Sequence, residues 1–596
     1  MILERVKGPS DLKRLSYEEL KILASEIRKR IIEVVGENGG HLASNLGVVE
    51  LTIALLRVWD PFKDYIIWDV GHQCYPFKML TGRNDLFHTI RRRGGLSGFP
   101  NPKESPADRF VVGHSGTSLS WALGLTLARK GDVVAVIGDG SLISGMALEA
   151  LNHIGSLGRK IVIVLNDNEM AIGPRVGAFA SHLSRLRMRR GWLGFKRRVR
   201  SMLELLPFGE EVIETLDDIK GRVRKLLLRS SIFEELGLIH WGPVDGHDIE
   251  LLERIFESSK EVNKPIVIHV ITKKGKGYPP AERDPETFHG APPFNKVESK
   301  VQETWSSIFG KVVLELAEKN DKVVCLTAAM KKGTGLDEFA RRYPSRFIDV
   351  GIAEQHMLGL SAGLAKGGLR PIVAIYSTFL QRAYDQVIHD VALQNLPVII
   401  AVDRGGIVGD DGPTHHGVFD LVFLRCVPNL IIACPRDANS LRNMLHTALT
   451  LDRPFIIRYP RGVVDRPPRW DEDPVILEVG KAEVLREGDE GVAFCLGPTY
   501  HFALRLSRFK VVDLAFAKPL DVETIVESSL RFDRVYVFEE GSKIGGVGEE
   551  IGALLLSHGI KPREFKVFAI PDRFIEHGDR GELLEEIFGI EKGKDR

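Results

Sequence analysis

Residues 133 to 173 read VVAVIGDGSLISGMALEALNHIGSLGRKIVIVLNDNEMAIG. Two short β-branched runs flank a stretch with apolar residues at helical spacing, and each run stops in small polar residues, GDGS after the first and NDN after the second. A strand, a helix and a strand in that order form a right-handed crossover between parallel strands. Asp139 and Asn168 then emerge at one carboxyl edge of a sheet, the edge at which open α/β sheets bind ligands.

The same rhythm recurs along the chain. YIIWDVGHQ, FVVGHS and PIVIHVITKKGKGY accompany the first pair, and a second series reads KVVCLTAAM, RFIDVGIAEQH, RPIVAIYSTF, LPVIIAVDRGG, NLIIACPRD and PFIIRYPRG. A smaller third set holds GVAFCLG, FKVVDLAFAKPLD and RVYVFEEGSKIGGVG. Such alternation predicts α/β domains on parallel sheets. A length of 596 residues exceeds one core of roughly 250 residues and calls for three or four domains. YPPAERDPETFHGAPPFNKVES has the composition of a linker, and RGVVDRPPRWDEDPV is again proline-rich and charged. These breaks predict domains over 1–295, 296–470 and 471–596. Near the start, Ser16 and Glu19 form a capping box for an amphipathic helix.

Charge and cysteine usage narrow the class. A formal charge of +1 gives no bulk attraction to nucleic acid or to an anionic membrane. Five scattered cysteines without a C-x-x-C pair argue against both a disulfide framework and a structural zinc site, and imply a reducing compartment. MILERVKGPSDLKRLS lacks a signal-peptide core, and no window nears the roughly twenty apolar residues of a membrane span, so the cytoplasm is expected. Residues 184 to 200 carry eight basic residues and no acidic one. A nucleic-acid groove with Trp192 and Phe195 as stacking rings is one reading. A solvated basic face or a cover over an active site is the other, and the neutral chain favours it.

The strand ends carry chemistry. Asp139 offers a carboxylate and Asn168 an amide oxygen, a hard set too small to enclose a cation, so a magnesium ion there would keep positions for water and phosphate. Gly138 and Gly140 permit close approach of backbone to a phosphate, and a helix beginning near Leu142 would direct its N-terminus at the anion. The glycines do not form G-x-G-x-x-G, and no P-loop occurs.

The GDG–NDN pair, with Asn168 twenty-nine positions after Asp139, resembles the diphosphate anchor of thiamine-diphosphate enzymes. GGHLASNLGVVELT, WDVGHQCYPFKMLTGR, VGHSGTS, LNDNEMAI, GPVDGHD, VGIAEQH, YSTFLQRAYDQVIHDVALQNLPV and DRGGIVGDDGPTHHGVFDL extend the resemblance over nearly the whole chain, to the 1-deoxy-D-xylulose-5-phosphate synthase branch of the transketolase-like family. Transketolase itself is similar in domain order, without the GHQ-x-YP-x-K-x-LTGR and NDNEM-x-I wording. The resemblance implies two thiamine-diphosphate-binding parallel-sheet domains, for diphosphate and pyrimidine, and a smaller C-terminal transketolase-like domain. It also implies a homodimer with the site between the first two domains, and decarboxylative condensation of pyruvate with glyceraldehyde 3-phosphate. No nucleic acid or membrane partner is expected.

Residue roles carry over by motif. Asp139, Asn168 and the carbonyl of Met170 would hold Mg2+. His72, Gly113, His114, Ser115, Gly140, Ser141, Asn168 and Tyr278 would contact thiamine diphosphate, with Phe379 stacking on its pyrimidine and Glu354 serving its aminopyrimidine. His41, His415 and Asp411 would lie at the reacting groups. Arg404, Arg461 and Tyr376 would take the substrate phosphate, with Arg458 a neighbouring alternative to Arg461. Imidazoles suit proton transfer near neutrality, and arginine forks suit phosphate. Pro413 and His416 flank a motif in which relatives often carry Gln.

Overall fold

The computed structural model describes residues 1–128, 131–170, 177–179, 181–186, 231–294 and 302–589. They form two compact units, Met1–Ile90 with Gly98–Lys296, and Arg91–Ser97 with Val297–Arg596. All but the first three residues of the basic 184–200 segment lie outside the described residues.

The first unit is built on a five-stranded sheet of β1 (Tyr65–Trp68), β2 (Val133–Gly138), β3 (Val162–Asp167), β4 (Ile239–Asp245) and β5 (Ile266–Ile271). Their order is β1-β2-β3-β5-β4, and every pairing is parallel. β3 is buried along its whole length, as a strand covered on both faces must be, which is why it reads as an unbroken apolar run. Helix Tyr17–Asn38 opens on the expected capping box: the Glu19 amide donates to Ser16 Oγ, and the Ser16 amide to Glu19 Oε2 at 2.9 Å. β4 escaped the sequence pattern because it is a half-exposed edge strand interrupted by Gly242 and Pro243.

The second unit holds two sheets. Strands β6 (Val323–Thr327), β7 (Phe347–Asp349), β8 (Arg370–Tyr376), β9 (Ile399–Asp403), β10 (Ile431–Ala433) and β11 (Phe455–Arg458) precede β12 (Glu483–Arg486), β13 (Gly491–Cys495), β14 (Phe509–Asp513), β15 (Phe516–Lys518), β16 (Arg534–Ser542) and β17 (Glu564–Ile570). The sheet orders are β15-β10-β11-β9-β8-β6-β7 and β12-β14-β13-β16-β17. Among the described strands only β15 against β10 and β12 against β14 pair antiparallel. One apolar cluster runs from Leu326 and Val402 through Leu421 and Leu424 to Phe494, Val512 and Val537, so the two sheets share a core. Each such buried side chain contributes about 1.5–3 kcal/mol.

Among the described residues, three sheets of the expected α/β type are present, with instructive local departures. FVVGHS forms no strand: the amides of Gly116 and Ser118, just beyond it, donate to the buried Asp69 carboxylate at 2.8 and 3.1 Å instead of to a sheet ladder. The helix expected near Leu142 begins at Gly145, after a separate turn over Asp139–Leu142. Residues 278–294 do not hang free as their proline content suggests. Ala291 exchanges backbone hydrogen bonds with Gly40, the Ala43 amide donates to Phe288 O, and Tyr278, Phe288 and Phe294 form a ring cluster. FKVVDLAFAKPLD splits between two sheets, β14 joining the third and β15 the second.

Candidate active site

In the first unit, Gly138 of β2 lies in register with Asn166 of β3, which places Asp139 and Asn168 past the carboxyl ends of neighbouring strands. The three residues of NDN divide the work. Asn166 Oδ1 accepts from the Thr272 hydroxyl at 2.6 Å. Asp167, fully buried, accepts from His269 Nε2 on β5 at 2.8 Å and from the Glu169 amide at 3.2 Å. Asn168 Oδ1 accepts from the Met170 amide at 3.1 Å, and Glu169 between them takes a left-handed φ of 65°. Asn166 and Asp167 also pair with β5 in the ladder, so side-chain bonds add to main-chain ones in fixing the turn that carries the candidate metal ligands.

A loop after β5 completes this edge. His247, in VDGHD, pairs through Nδ1 with Glu50 at 3.0 Å and accepts the Lys273 amide at Nε2 at 2.9 Å, while Arg28 forks onto Glu50 and donates to Lys276 O. An amide can only donate, so Nε2 of His247 is the acceptor and Nδ1 faces the Glu50 carboxylate. The loop brings in Lys274, which sequence reasoning missed. It is buried, and burial pushes its ammonium down to about 8 against the opposing pull of Asp139 and Glu286.

The histidines gather as well. Asn45, buried, donates to the carbonyls of His41 and His72 at 2.6 and 2.7 Å and accepts the Tyr75 amide. The His41 and His72 rings lie 5.6 Å apart, and His289 joins them at 5.8 and 5.0 Å. His289 belongs to the proline-rich stretch read as linker, where the FHG triplet was its only signal. Val70 leads toward His72 at a φ of 58°, strained for a β-branched residue as is common beside functional sites, and Gly71 follows at 80°, which glycine adopts freely. Gly113, His114 and Ser115 precede the turn that Asp69 anchors. Gly140 and Ser141 are buried in the turn after Asp139, and Tyr278 caps the short helix Pro279–Arg283.

In the second unit, Glu354 is the first residue of helix Glu354–Lys366 and is 4% exposed. Burial pushes its carboxyl up, against its own backbone amide and Arg382. Phe379 lies 5.8 Å from the Tyr376 ring in a stacked pose and meets His415 edge-on at 5.7 Å. Tyr376 and Asp403 are register partners at the ends of β8 and β9. Arg404 follows at φ 60° and lays its guanidinium carbon 3.8 Å over the Tyr376 ring, a cation–π contact. Gly333 leaves space for the Tyr376 hydroxyl that any Cβ would take.

Asp411 accepts from Arg91 at 2.5 Å, and Arg461 stands 3.7 Å from both Asp410 and Asp411. Arg91 is a second residue that local pattern could not reveal, since 320 positions separate it from its partner. Arg458 is buried and committed: it donates to Asp420 at 3.0 Å and to the carbonyls of Gly417 and Glu540 at 3.1 and 2.7 Å. Arg461 keeps a third of its side chain exposed.

Asp403, wholly buried, supports a pH prediction. Burial pushes its carboxyl up to about 6, with Arg404 and the Ser306 hydroxyl opposing. From the unfolded value of 3.8 up to about 6, the unfolded chain ionises while the folded protein does not, so stability falls through that window and levels above it. Asp403→Asn removes this term. Its stability relative to the parent should rise from near zero at pH 4 to ~1–3 kcal/mol at pH 7 in paired thermal melts, and a pH-independent difference would contradict the assignment.

The chain matches the family model described as 1-deoxy-D-xylulose-5-phosphate synthase over residues 3–272. Matches to the transketolase pyrimidine-binding domain over 302–466 and the transketolase C-terminal domain over 480–593 follow. It is 45% identical to the 1-deoxy-D-xylulose-5-phosphate synthase of Natranaerobius thermophilus, covering 98% of this chain and 96% of the relative. That of Aquifex aeolicus is 46% identical, covering 99% and 96%, and that of Dictyoglomus turgidum 46%, covering 100% and 98%. The chain belongs to the 1-deoxy-D-xylulose-5-phosphate synthase family. Synthases of this family depend on thiamine diphosphate and a divalent metal.

The first unit suits that pair of groups. Among the described residues no three His, Cys, Asp or Glu side chains cluster as a metal cage. Asp139 and Asn168, past the ends of neighbouring strands, are hard oxygen donors too few to enclose a cation, a set that fits an Mg2+ sharing its shell with a phosphate. Open space beside Gly138 and the buried Lys274 cation near Asp139 fit an anionic group at this synthase edge.

Proposed function

We propose that the protein condenses pyruvate with D-glyceraldehyde 3-phosphate, releasing CO2 and forming 1-deoxy-D-xylulose 5-phosphate, an early precursor of isoprenoids, thiamine and pyridoxal. What carries this reading is the strand-end pair Asp139–Asn168 together with the buried Glu354, in a chain that matches a synthase relative over 99% of its length. Asp139, Asn168 and the Met170 carbonyl hold Mg2+. His72, Gly113, His114, Ser115, Gly140, Ser141 and Tyr278 receive thiamine diphosphate, and Phe379 stacks on its pyrimidine. Bound there, the cofactor supplies the carbanion chemistry that protein side chains lack.

The chain's own residues orient and move protons. Glu354 exchanges a proton with the cofactor's aminopyrimidine in a dry setting, where burial shifts its carboxyl toward the neutral form. His41 and His415 exchange protons at the reacting oxygens, and Asp411 orients the acceptor. Arg404 and Arg461 bind the substrate phosphate beside Tyr376. The committed hydrogen bonds of Arg458 favour Arg461 for that role. Arg461→Ala should then raise KM for glyceraldehyde 3-phosphate roughly tenfold at unchanged Tm, while Arg458→Ala should cost ~3–5 kcal/mol of stability by leaving Asp420 buried without its charge partner. Equal melts for the two variants would contradict this division.

Domains over 1–295, 296–470 and 471–596, a homodimer and a cytoplasmic location complete the proposal. All five cysteines are free thiols, as a reducing compartment requires, and no helix among the described residues is long and apolar enough to cross a membrane. The test is incubation with thiamine diphosphate, Mg2+ and pyruvate, with and without glyceraldehyde 3-phosphate, followed by mass analysis of CO2 and sugar phosphate. A five-carbon deoxy sugar phosphate supports the synthase. Ketol transfer from xylulose 5-phosphate to ribose 5-phosphate, with no pyruvate consumed, would mean a transketolase.

A further inference from the structure

The second unit gives its C-terminal sheet a task that no family description assigns. After β9 the chain from Arg404 to Gly417 forms a loop closed at its base, where Gly406 and Gly417 exchange both backbone hydrogen bonds at 2.7 and 2.8 Å. Asp411 and His415 stand on this loop. Its footing is made by residues 133 and 173 positions beyond Ile407. The Ile407 amide donates to Glu540 Oε1 on β16 at 2.7 Å, and Arg580 Nε donates to the Ile407 carbonyl at 2.8 Å. Arg580 Nη2 reaches both Glu540 oxygens at 3.0 Å, so one ion pair satisfies both backbone groups of one residue. Glu540 is 4% exposed, and Gly406 has no room for a Cβ because the Glu540 carboxyl lies against it.

Packing repeats the message. The side chains of Ile407 and Val418, one at each end of the loop, belong to the apolar cluster of the C-terminal sheet with Ala493, Tyr536, Phe538 and Ile575. The Ser542 amide donates to Val418 O at 2.8 Å, and Gly578 approaches Gly409 O at 3.4 Å. A loop whose two feet sit in another domain's core takes its position from that domain.

We propose that Glu540 and Arg580 of the C-terminal domain are positioning residues for the acceptor-recognition loop, clamping Ile407 so that Asp411 and His415 stand at the aldehyde substrate. The proposal rests on the reading of those two residues given above. A general structural role would lower Tm and raise both substrate KM values together. A positioning role separates them, raising KM for glyceraldehyde 3-phosphate while leaving KM for pyruvate and cofactor affinity in place.

The test uses the full chain with Arg580→Leu, Arg580→Lys and Glu540→Gln, measured by hydrogen exchange over residues 407–417 and by the two KM values. Loss of a charge-assisted hydrogen bond predicts roughly tenfold faster exchange at Ile407 and a similar rise in KM for the aldehyde in Arg580→Leu. Arg580→Lys, which keeps charge but not the fork, should fall between. Unchanged exchange, or both KM values rising together with a lower Tm, overturns the proposal. Should Arg580→Leu not fold, Glu540→Gln decides, because its oxygen can still accept from Ile407 while the pair with Arg580 is weakened. Parent protein that consumes no pyruvate would count against the synthase reading, and the exchange comparison would still decide on the clamp.

Discussion

Glu354→Ala is expected to lower kcat by about a thousandfold while thiamine diphosphate binds with near-parent affinity. The expectation comes from where the residue stands. As the first residue of helix Glu354–Lys366 it could have been an ordinary exposed carboxylate stabilised by the helix dipole. It is instead buried, and burial holds its carboxyl above the usual range despite Arg382. A carboxyl shifted upward by burial shares a proton with a nitrogen base more readily than an exposed one. Glu354→Gln keeps the shape and the hydrogen-bonding capacity but cannot exchange the proton, so it should lose nearly as much activity. Steady-state rates paired with calorimetric cofactor titration measure both quantities. Retained turnover in either variant would remove Glu354 from the proton-handling role.

Asp139→Asn should weaken Mg2+-dependent binding of thiamine diphosphate at least a hundredfold. Removing a carboxylate from three hard oxygens leaves only neutral donors for a doubly charged ion, and metal sites are sensitive even to changes beyond the direct ligands. The effect has a thermodynamic signature separate from activity. At a cofactor concentration a hundredfold above the parent Kd, binding stabilises the parent by ~2.7 kcal/mol and a variant with hundredfold weaker binding by only ~0.4 kcal/mol. Melts with and without cofactor should therefore differ strongly in the parent and hardly in the variant, with similar melts in its absence. Chelating the metal from the parent should reproduce the variant. Equal cofactor stabilisation of both proteins would rule out Asp139 as a metal ligand.

Much of the framework was legible because it is written in local periodicity. β-branched runs of four to seven residues, separated by stretches with helical spacing, correspond to β2, β3, β5, β6, β8, β9 and β11. The capping box at Ser16 and the polar strand ends at Asp139 and Asn168 are local as well, since a cap or a ligand-bearing turn involves neighbours in the chain. Three of the edge strands were harder to read. β4, β12 and β17 have one side open to solvent, so polar residues and a Gly-Pro interruption are tolerated and the apolar signature fades.

The sequence by itself determined the α/β class, the strand ends at which chemistry could sit, and the residue types available there, because each depends on spacing within a few turns or strands. Only the tertiary structure decided the rest. It folded the proline-rich stretch back to bring His289 beside His41 and His72, sent β15 to a sheet other than that of β14, and joined Arg91 to Asp411. It also committed Arg458 to Asp420 and the backbone, while leaving Arg461 accessible. The physical reason is the same in each case. A hydrogen bond or ion pair between residues tens to hundreds of positions apart forms when sheets and cores bring them together, and no local periodicity carries that information.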